Sequence, residues 1–309
     1  MNDKLINGEI WRDSDGNIIH AHGGGMLYLD GYYYWYGENR TENNYVSCYR
    51  SKDLMNWEFR NNILTTESKT EQIRVRTKLN LKSENGKKVN IERPKVLYNE
   101  VIKKFVMWMH YENGENYCEA AAAIATCDTP DGDFIYHGSF NPYGYMSRDC
   151  TLFKDEDGVA YFISSSRDNA DLHIYRLSDD YMNIDSLVNK LWQGEYREAP
   201  AVVKKDGVYY MMSSFCTGWS PNQCKYSSAT SMEGKWRRLK KIGNETTYDT
   251  QPAFILSISN KDKNECIYIS DRWCREDYND SRYVFLKLNF QDDRELDMKY
   301  VDEFKINLE

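Results

Sequence analysis

Residues 199–212 read Ala-Pro-Ala-Val-Val-Lys-Lys-Asp-Gly-Val-Tyr-Tyr-Met-Met, and this stretch decides the fold because its pattern recurs along the chain. An apolar run, an Asp-Gly turn and a Tyr-rich run in succession are typical of two antiparallel strands joined by a tight hairpin. The pattern returns in residues 24–36, 93–109, 149–163 and 251–270. The sequence therefore contains five similar hairpin units.

The length of the repeat matches one blade of a propeller. The equivalent residues Phe105, Val159, Val208 and Ile267 are 54, 49 and 59 residues apart. A third strand is predicted after each hairpin, at residues 46–51, 120–126, 172–177, 225–229 and 283–288. The predicted fold class is therefore all-β, a five-bladed β-propeller. A β-sandwich also has short strands and turns, but it does not account for a repeat of this length.

We expect residues 1–309 to form a single domain. Residues 61–90 carry ten charged side chains, and we expect them to form a solvated polar insertion between the first two blades. The predicted bounds are about 18–60 for blade 1, 91–140 for blade 2, 146–190 for blade 3, 196–240 for blade 4 and 248–300 for blade 5.

The composition excludes several classes of protein. The sequence has no run of about 18 apolar residues, which excludes a membrane-spanning protein, and an aromatic content of 14% excludes a disordered chain. Acidic residues outnumber basic residues by 48 to 40, and the net charge of −8 would repel nucleic acid and anionic lipid. We therefore expect neither nucleic acid nor a membrane as a partner.

The cysteines and the first ten residues indicate the cellular location of the protein. Eight cysteines occur without a C-x-x-C pair, which is typical of reduced thiols and not of a disulfide scaffold or a zinc site. Residues 1–10 lack the basic patch and apolar core of a signal peptide. Both features favour a cytoplasmic protein, although a secreted chain trimmed of its signal would look the same. We expect a monomer without a cofactor.

The starts of the predicted first strands differ from one another in chemistry. The first strand of each propeller blade lines the central channel, so these starts meet at one pocket. They carry carboxylates, guanidinium groups, imidazoles and an amide where packing requires only small residues, and this pattern predicts an active site. The starts are residues 20–24, 92–94, 147–149, 197–200 and 249–252.

Glu198 and Glu92 are the candidate catalytic pair. Two carboxylates beside a polar pocket can hydrolyse a glycosidic bond, because one with a raised pKa protonates the leaving oxygen while water is activated opposite. Trp219 is predicted in a loop that walls the pocket and offers a flat face to a sugar ring. Each glutamate adjoins an arginine, so a structural ion pair is the alternative role for Glu198 and Glu92. The alternative for Trp219 is a place in the hydrophobic core.

Six short motifs carry a resemblance to a known family. They are Ala-His-Gly-Gly-Gly (21–25), Tyr-Trp-Tyr-Gly-Glu (34–38), Ile-Glu-Arg-Pro-Lys (91–95), Met-Ser-Arg-Asp (146–149), Arg-Glu-Ala-Pro (197–200) and Thr-Gly-Trp (217–219). Through them the chain resembles glycoside hydrolase family 43, and within it the exo-β-1,3-galactanases. The resemblance implies a five-bladed propeller that releases galactose, with inversion, from the non-reducing end of β-1,3-galactan or arabinogalactan-derived oligosaccharides.

The resemblance also implies roles for individual residues. Glu198 resembles the general acid, and Glu92 resembles the carboxylate that tunes its pKa and orients it. Most of the family has an aspartate base at the start of blade 1, where this chain has His22, but the galactanase subfamily uses a blade-five glutamine, which Gln251 matches. Residues that resemble those holding the terminal galactose are Glu38, Tyr117, Asp149, Thr217, Gly218 and Trp219.

Several points stay open at this stage. Gln251 either orients water or acts as a transient imidic acid, and in both cases water between it and Glu198 implies a separation of about 6.5–9.5 Å. His22 is either a metal ligand or a hydrogen-bonding residue that fills the channel, and we expect no metal site. The alternative functions are an α-L-arabinofuranosidase or β-xylosidase, against which the missing aspartate speaks, and a non-catalytic sugar-binding propeller, against which the two glutamates speak.

Overall fold

The computed structural model describes residues 2–74, 76, 78–260, 263–306 and 308. It confirms the predicted all-β five-bladed β-propeller, with five antiparallel four-stranded sheets that are each built from strands consecutive in sequence. The helices among the described residues are single 3₁₀ turns at Pro142–Gly144, Tyr278–Asp280 and Asp292–Arg294. None of these helices has the length and hydrophobicity to cross a bilayer.

The strands are numbered in chain order, and within each blade they follow one another across the sheet. Strand β1 is Leu5–Ile6. Blade 1 consists of β2 His22–Leu29, β3 Tyr32–Glu38, β4 Asn44–Ser51 and β5 Glu58–Thr65; blade 2 of β6 Asn90–Asn99, β7 Lys104–Glu112, β8 Ala121–Cys127 and β9 Ile135–Phe140; blade 3 of β10 Cys150–Lys154, β11 Ala160–Ser166, β12 Asp171–Leu177 and β13 Ile184–Leu191. Blade 4 consists of β14 Arg197–Lys205, β15 Val208–Phe215, β16 Lys225–Ala229 and β17 Lys240–Lys241; blade 5 of β18 Gln251–Asn260, β19 Lys263–Arg272, β20 Arg282–Gln291 and β21 Glu295–Met298; and β22 is Glu303–Phe304.

The first strands of the blades contact one another in a closed ring, from β2 through β6, β10, β14 and β18 back to β2. Neighbouring sheets pack face to face, and one hydrophobic cluster fills each interface between blades. Because both faces of a sheet are covered, the inner strands of the blades are largely buried on both faces instead of alternating. The aromatic residues that close three of the repeats, Trp57, Phe134 and Trp236, are buried in these clusters.

Strands β1 and β22 close the ring. They pair with each other in an antiparallel sheet, which packs together with blades 1 and 5 in one cluster. Asn7 joins this small sheet to β20. Its amide nitrogen donates to the carbonyls of Phe285 (2.9 Å) and Val301 (3.0 Å), and its amide oxygen accepts the Phe285 N–H (2.8 Å).

A bulge interrupts the start of four of the five first strands. The register with the second strand shifts directly after His22, Glu92, Glu198 and Pro252. A proline cannot donate to the ladder and is tolerated at such bulges, which explains the Arg-Pro, Ala-Pro and Gln-Pro pairs of blades 2, 4 and 5. In three bulges the residue after the site residue has a φ near +50°, namely Gly23, Arg93 and Ala199.

The insertion predicted at residues 61–90 begins later than expected and is not wholly solvated. Residues 61–65 belong to β5, the fourth strand of blade 1. Leu81 and Val89 are buried in the cluster between blades 1 and 2. Arg76 lies over the ring of Phe140 (3.8 Å) and donates to the Met182 carbonyl (2.8 Å). Although this segment is highly charged, a few of its residues therefore pack against the blades.

Candidate active site

A cavity of about 280 Å³ lies where the first strands begin, and its size is at the small end of the range for ligand pockets. Eight of the nine predicted site residues line it. The ninth, Thr217, does not, because its hydroxyl donates to the Ser220 carbonyl (2.6 Å) and accepts from the Asn222 amide (2.7 Å) within its own loop. The lining residues are Glu38, Arg40, Glu92, Arg93, Tyr117, Asp149, Glu198, Gly218, Trp219, Gln251, Trp273 and Tyr278.

Glu198 has the properties of a general acid. Burial, and after it the negative charge of Asp149, raises the pKa of its carboxyl to about 7. One carboxyl oxygen accepts from the amide nitrogen of Gln251 (2.9 Å), and the other accepts from the amide nitrogen of Asn169 (3.2 Å). A carboxyl with this pKa is partly protonated near neutral pH, so it can donate a proton to a leaving oxygen.

Glu92 is an anion that three groups hold in place. Arg40 (2.9 Å) and the Tyr117 hydroxyl (2.6 Å) donate to one oxygen, and the His110 ring lies 3.2 Å from the other. Burial opposes this charge, but the interactions with His110 and Arg40 outweigh it and hold the pKa of Glu92 well below its usual value. We expected Glu92 to tune Glu198, but the carboxylate that raises the Glu198 pKa most is Asp149.

Gln251 lies against Glu198 with no water-sized gap. Its amide oxygen accepts from the indole of Trp273 (2.7 Å) and from Arg93, so its nitrogen faces the other way and donates to Glu198 (2.9 Å) and Ser214 (2.9 Å). The expected separation of about 6.5–9.5 Å is therefore wrong for this structure. The reason is that Arg93 and Trp273, two donors the sequence did not connect with Gln251, dictate the orientation of the amide.

Glu38 is buried at the end of β3, and donors satisfy both of its oxygens. The Arg93 N–H (3.0 Å) donates to one oxygen, and Arg40 (2.8 Å) and the Tyr278 hydroxyl donate to the other. Gly23, with a φ of +56°, lies directly behind, and a Cβ there would be 2.5 Å from a Glu38 oxygen. Glycine at this position leaves room for Glu38 to lie at the edge of the cavity.

Aromatic faces wall the cavity. Trp219 is 45% exposed and Tyr117 is 46% exposed, although large aromatic side chains are usually mostly buried. Trp273 and Tyr278 stack on each other with ring centroids 5.4 Å apart. Exposed flat rings beside a polar cavity suit the apolar faces of a sugar ring.

His22 is packed beneath the cavity. Its Nδ1 lies 2.9 Å from the carboxylate of Asp271, whose other oxygen accepts the Gly23 N–H (2.9 Å). Its ring stacks on Tyr283, with centroids 4.7 Å apart. These contacts describe a hydrogen-bonding residue that fills the channel, which is the second of the two roles considered for it.

Within the described residues, one group of side chains has the spacing of a metal site. Glu92, His110 and Asp149 bring one ligand atom each within 4.8 Å of one another. However, each nitrogen of the His110 ring faces a carboxylate, Glu92 at 3.2 Å and Glu112 at 2.9 Å. Arginines pair with the other two members, Arg40 with Glu92 (2.9 Å) and Arg93 with Asp149 (2.9 Å). Their positive charges would repel a metal ion, so the group fits an ion-pair network better than a metal centre.

Sequence reasoning missed several residues of the site. Trp273 directly follows the second strand of blade 5, much as Trp219 follows that of blade 4, and this parallel could have identified it. Arg40 lies two residues after Glu38, within the same motif region. Tyr278 and Asn169 had no comparable signal, since each reaches the site from a loop.

The chain matches the family model for glycosyl hydrolases family 43 over residues 94–253. Its structure is similar to that of an exo-β-1,3-galactanase from Clostridium thermocellum, with a TM-score of 0.91 and 46% identity over 99% of this chain and 67% of that one. An exo-β-1,3-galactanase from Phanerochaete chrysosporium, solved with β-1,3-galactotriose, gives a TM-score of 0.87 and 33% identity over 99% of this chain and 69% of that one.

Two further solved structures show how far the structural similarity extends. A GH43 β-1,3-galactosidase with galactodeoxynojirimycin gives a TM-score of 0.85 and 32% identity over 98% of this chain and 100% of that one. An exo-1,5-α-L-arabinanase from a bovine ruminal metagenomic library gives 0.60 and 15% identity over 91% and 97% of the two chains, which is evidence for the fold alone. Among curated protein sequences, none matches the chain.

Proposed function

This chain belongs to glycosyl hydrolase family 43, and we propose that it releases single galactose units from the non-reducing end of β-1,3-linked galactan or its oligosaccharides, with inversion. The observation that carries the proposal is Glu198, whose carboxyl has a pKa of about 7 and is hydrogen-bonded to the amide of Gln251 (2.9 Å) at the edge of the cavity. That arrangement provides an acid for the leaving oxygen and, beside it, an amide that can position water once the sugar has entered.

The reaction then follows from the contacts of the two residues. Protonated Glu198 donates its proton to the glycosidic oxygen as the bond to the sugar breaks, and water attacks the opposite face of the ring. As the amide, Gln251 only orients that water, whose proton passes to solvent as the new C–O bond forms. As the imidic acid, its imine nitrogen takes the proton and its hydroxyl releases one to solvent, which restores the amide. Because Gln251 and Glu198 are hydrogen-bonded to each other, the sugar has to displace this bond when it enters between them.

Specificity for galactose comes from carboxylate acceptors at the cavity wall. Glu38 and Asp149 line the cavity, and their carboxylates accept hydrogen bonds from sugar hydroxyls, including the axial one that distinguishes galactose from glucose. A site built to bond a hydroxyl rejects an analogue that lacks it, because the buried group is left without a partner. The relatives named above as exo-β-1,3-galactanases support this choice of substrate.

Digestion of debranched β-1,3-galactan tests the substrate and the mode of attack. Early products are separated by chromatography, with β-1,3-glucan and aryl arabinofuranosides assayed in parallel. Monomeric galactose should dominate from the first time point, and the other two substrates should stay intact. An early ladder of long oligosaccharides would contradict exo attack, and faster turnover of an arabinofuranoside would contradict the substrate.

Proton NMR of the first-formed galactose tests the stereochemistry. Inversion at a β-linkage releases the α-anomer, because the attacking water approaches the face opposite to the leaving oxygen. The β-anomer appearing first would rule out inversion, and with it the role of Gln251.

A further inference from the structure

His110 and Glu112 extend the site into blade 2. They are two residues apart on β7, so they lie on the same face of the strand, and both are buried, with 2% and 0% exposed. Glu92 on β6 is the cross-strand partner of His110. The ring lies between two carboxylates, with Nδ1 3.2 Å from Glu92 and Nε2 2.9 Å from Glu112. Nε2 is hydrogen-bonded to Glu112, whereas Nδ1 is not aligned for a hydrogen bond, so a ring with both nitrogens protonated, the imidazolium, meets Glu92 as an ion pair.

Glu112 also holds the loop that carries Tyr117. Its second oxygen accepts the backbone N–H groups of Glu119 (2.9 Å) and Ala120 (3.0 Å), which ties the end of this loop to the end of β7. Tyr117 in turn donates its hydroxyl to Glu92 (2.6 Å). Glu112 therefore supports two partners of Glu92, the His110 ring directly and the Tyr117 hydroxyl through the loop.

The remaining groups near the ring are Arg40, which pairs with Glu92 (2.9 Å), Asp149, which has an atom within 4.8 Å of the ring, and Tyr117, whose ring is 6.1 Å away. Burial opposes a charged ring, but the carboxylates of Glu112 and Glu92 outweigh it and raise the pKa of His110 to about 9. At neutral pH the ring is therefore a buried cation between two anions.

We propose that His110 and Glu112 are positioning residues of the active site, which hold Glu92 as an oriented anion facing the cavity. Neither residue lines the cavity, so both act through Glu92 and not on the sugar. The kinetic consequences rest on the proposed function, whereas the charge of the ring is a property of the free protein. Removing the cation raises the pKa of Glu92, so Glu92 becomes protonated at a higher pH.

The first test measures the ring in the free protein by NMR with ¹⁵N-labelled histidine. The chain has five histidines, and loss of one set of signals in His110→Gln assigns that residue. Both ring nitrogens of His110 should be protonated at pH 7 and titrate near the pKa of about 9. A ring that is neutral at pH 7 would overturn the proposal, whatever the substrate proves to be.

Glu112→Gln sharpens this test. An amide oxygen can still accept the two backbone N–H groups, while the amide nitrogen turns toward the ring and donates to Nε2. Nε2 should then lose its proton at neutral pH, and the titration of His110 should shift to lower pH. An unchanged titration would show that Glu112 does not hold the ring as a cation, which also overturns the proposal.

The second test measures Glu92 through the pH dependence of kcat/KM on β-1,3-galactobiose. His110→Gln should lower kcat/KM roughly 10- to 100-fold, the usual effect of losing a hydrogen bond to a charged group. It should also move the acidic limb of the profile to higher pH, because Glu92 gains its proton sooner. Equal loss at every pH would indicate a merely structural role and contradict the proposal.

His137→Gln is the matched control. His137 is buried in the same blade and bonds Thr126 (2.7 Å) and the Glu71 carbonyl (2.7 Å) away from the cavity, so its replacement should leave the pH profile unchanged. If His110→Gln fails to fold, Glu112→Gln supplies the same kinetic comparison. A wild-type protein that releases no galactose would contradict the proposed function and leave the NMR result to decide the charge of the ring.

Discussion

The carboxyl of Glu198 lies between two amides, and each of its oxygens already accepts one amide hydrogen. The charge with the largest effect on its pKa is that of Asp149, whose own carboxylate pairs with Arg93 (2.9 Å). Burial and Asp149 raise the Glu198 pKa, while Arg93 lowers it. The pKa of Glu198 therefore depends on opposing effects of its neighbours, and a single substitution of one neighbour can shift it.

Glu198→Gln should abolish turnover, because the amide has no proton to give the leaving oxygen. The expected loss in kcat on galactobiose is at least about 100-fold, and galactose binding, measured by calorimetry, should survive. Glu195→Gln is the control, since Glu195 is exposed three residues upstream. If Glu198→Gln retained more than about a tenth of the wild-type rate, Glu198 would not be the acid.

Asp149→Asn should move the basic limb of the pH profile to lower pH. The acid works while protonated, so activity falls as the pH rises through its pKa of about 7. Removing the negative charge of Asp149 lowers that pKa, and the loss of activity begins earlier. The profile of kcat/KM measures the shift, and Asp206→Asn, a turn residue of blade 4, should leave it in place. A basic limb at an unchanged pH in Asp149→Asn would contradict the effect of Asp149 on the pKa of Glu198.

At the scale of the strand, the bulges place the catalytic side chains. The register shifts after His22, Glu92 and Glu198, and the following residue in each case has a left-handed φ. Such a bulge bends the strand and re-aims a side chain. Non-glycine residues in this conformation are uncommon and cluster at functional sites, and Arg93 and Ala199 are two such residues.

Gly24→Ala tests how closely the first bulge is packed. A Cβ at Gly24 would lie 1.9 Å from the Tyr36 carbonyl oxygen. A Cβ at Gly158, in a hairpin turn, would have no atom within 4 Å, although the φ of Gly158 is +87°. Gly158→Ala should therefore cost only the strain of a left-handed residue, about 1–2 kcal/mol. Gly24→Ala should cost at least about 2 kcal/mol more in the free energy of unfolding by urea. Equal costs would show that the bulge can move aside.

At the scale of the molecule, the ring is completed by residues far apart in the sequence. Blades 1 and 5 meet along β2 and β18, and the pairing of β1 with β22 adds a small sheet beside them. Tyr278 of blade 5 reaches Glu38 of blade 1 only because the ring closes. The geometry of the cavity therefore depends on the closure.

Asn7→Ala should weaken the closure. The substitution leaves the buried N–H of Phe285 without its acceptor and two carbonyls without a donor. An unsatisfied buried group costs about 1–3 kcal/mol, so we expect a loss of about 2–4 kcal/mol in the free energy of unfolding, measured in urea. Asn85→Ala at an exposed position is the control and should change stability by less than about 0.5 kcal/mol. Equal effects would indicate that Asn7 does not fasten the ring.

The hairpin repeat could be read from the sequence because its causes are local. Each unit needs only a turn residue between two apolar runs, and both lie within a short stretch of chain. The third strands β4, β8, β12, β16 and β20 overlap the predicted ranges for the same reason. Glu92, Asp149, Glu198 and Gln251 followed from the repeat, since each lies at the start of a predicted first strand. Glu38, Tyr117, Thr217 and Gly218 do not occupy such positions, and only the family resemblance implied them.

What the sequence by itself determined is therefore the propeller, its five units and the residues that begin them, while the tertiary structure alone decided how those residues meet. The orientation of Gln251 depends on Arg93 and Trp273, and Thr217 bonds within its own loop instead of facing the cavity. The distances between residues of different blades set the electrostatic interactions of each carboxylate, and hence which carboxylate raises the pKa of Glu198. Electrostatic interactions act through space, and the spacing of residues along a chain does not fix their separation across a closed ring.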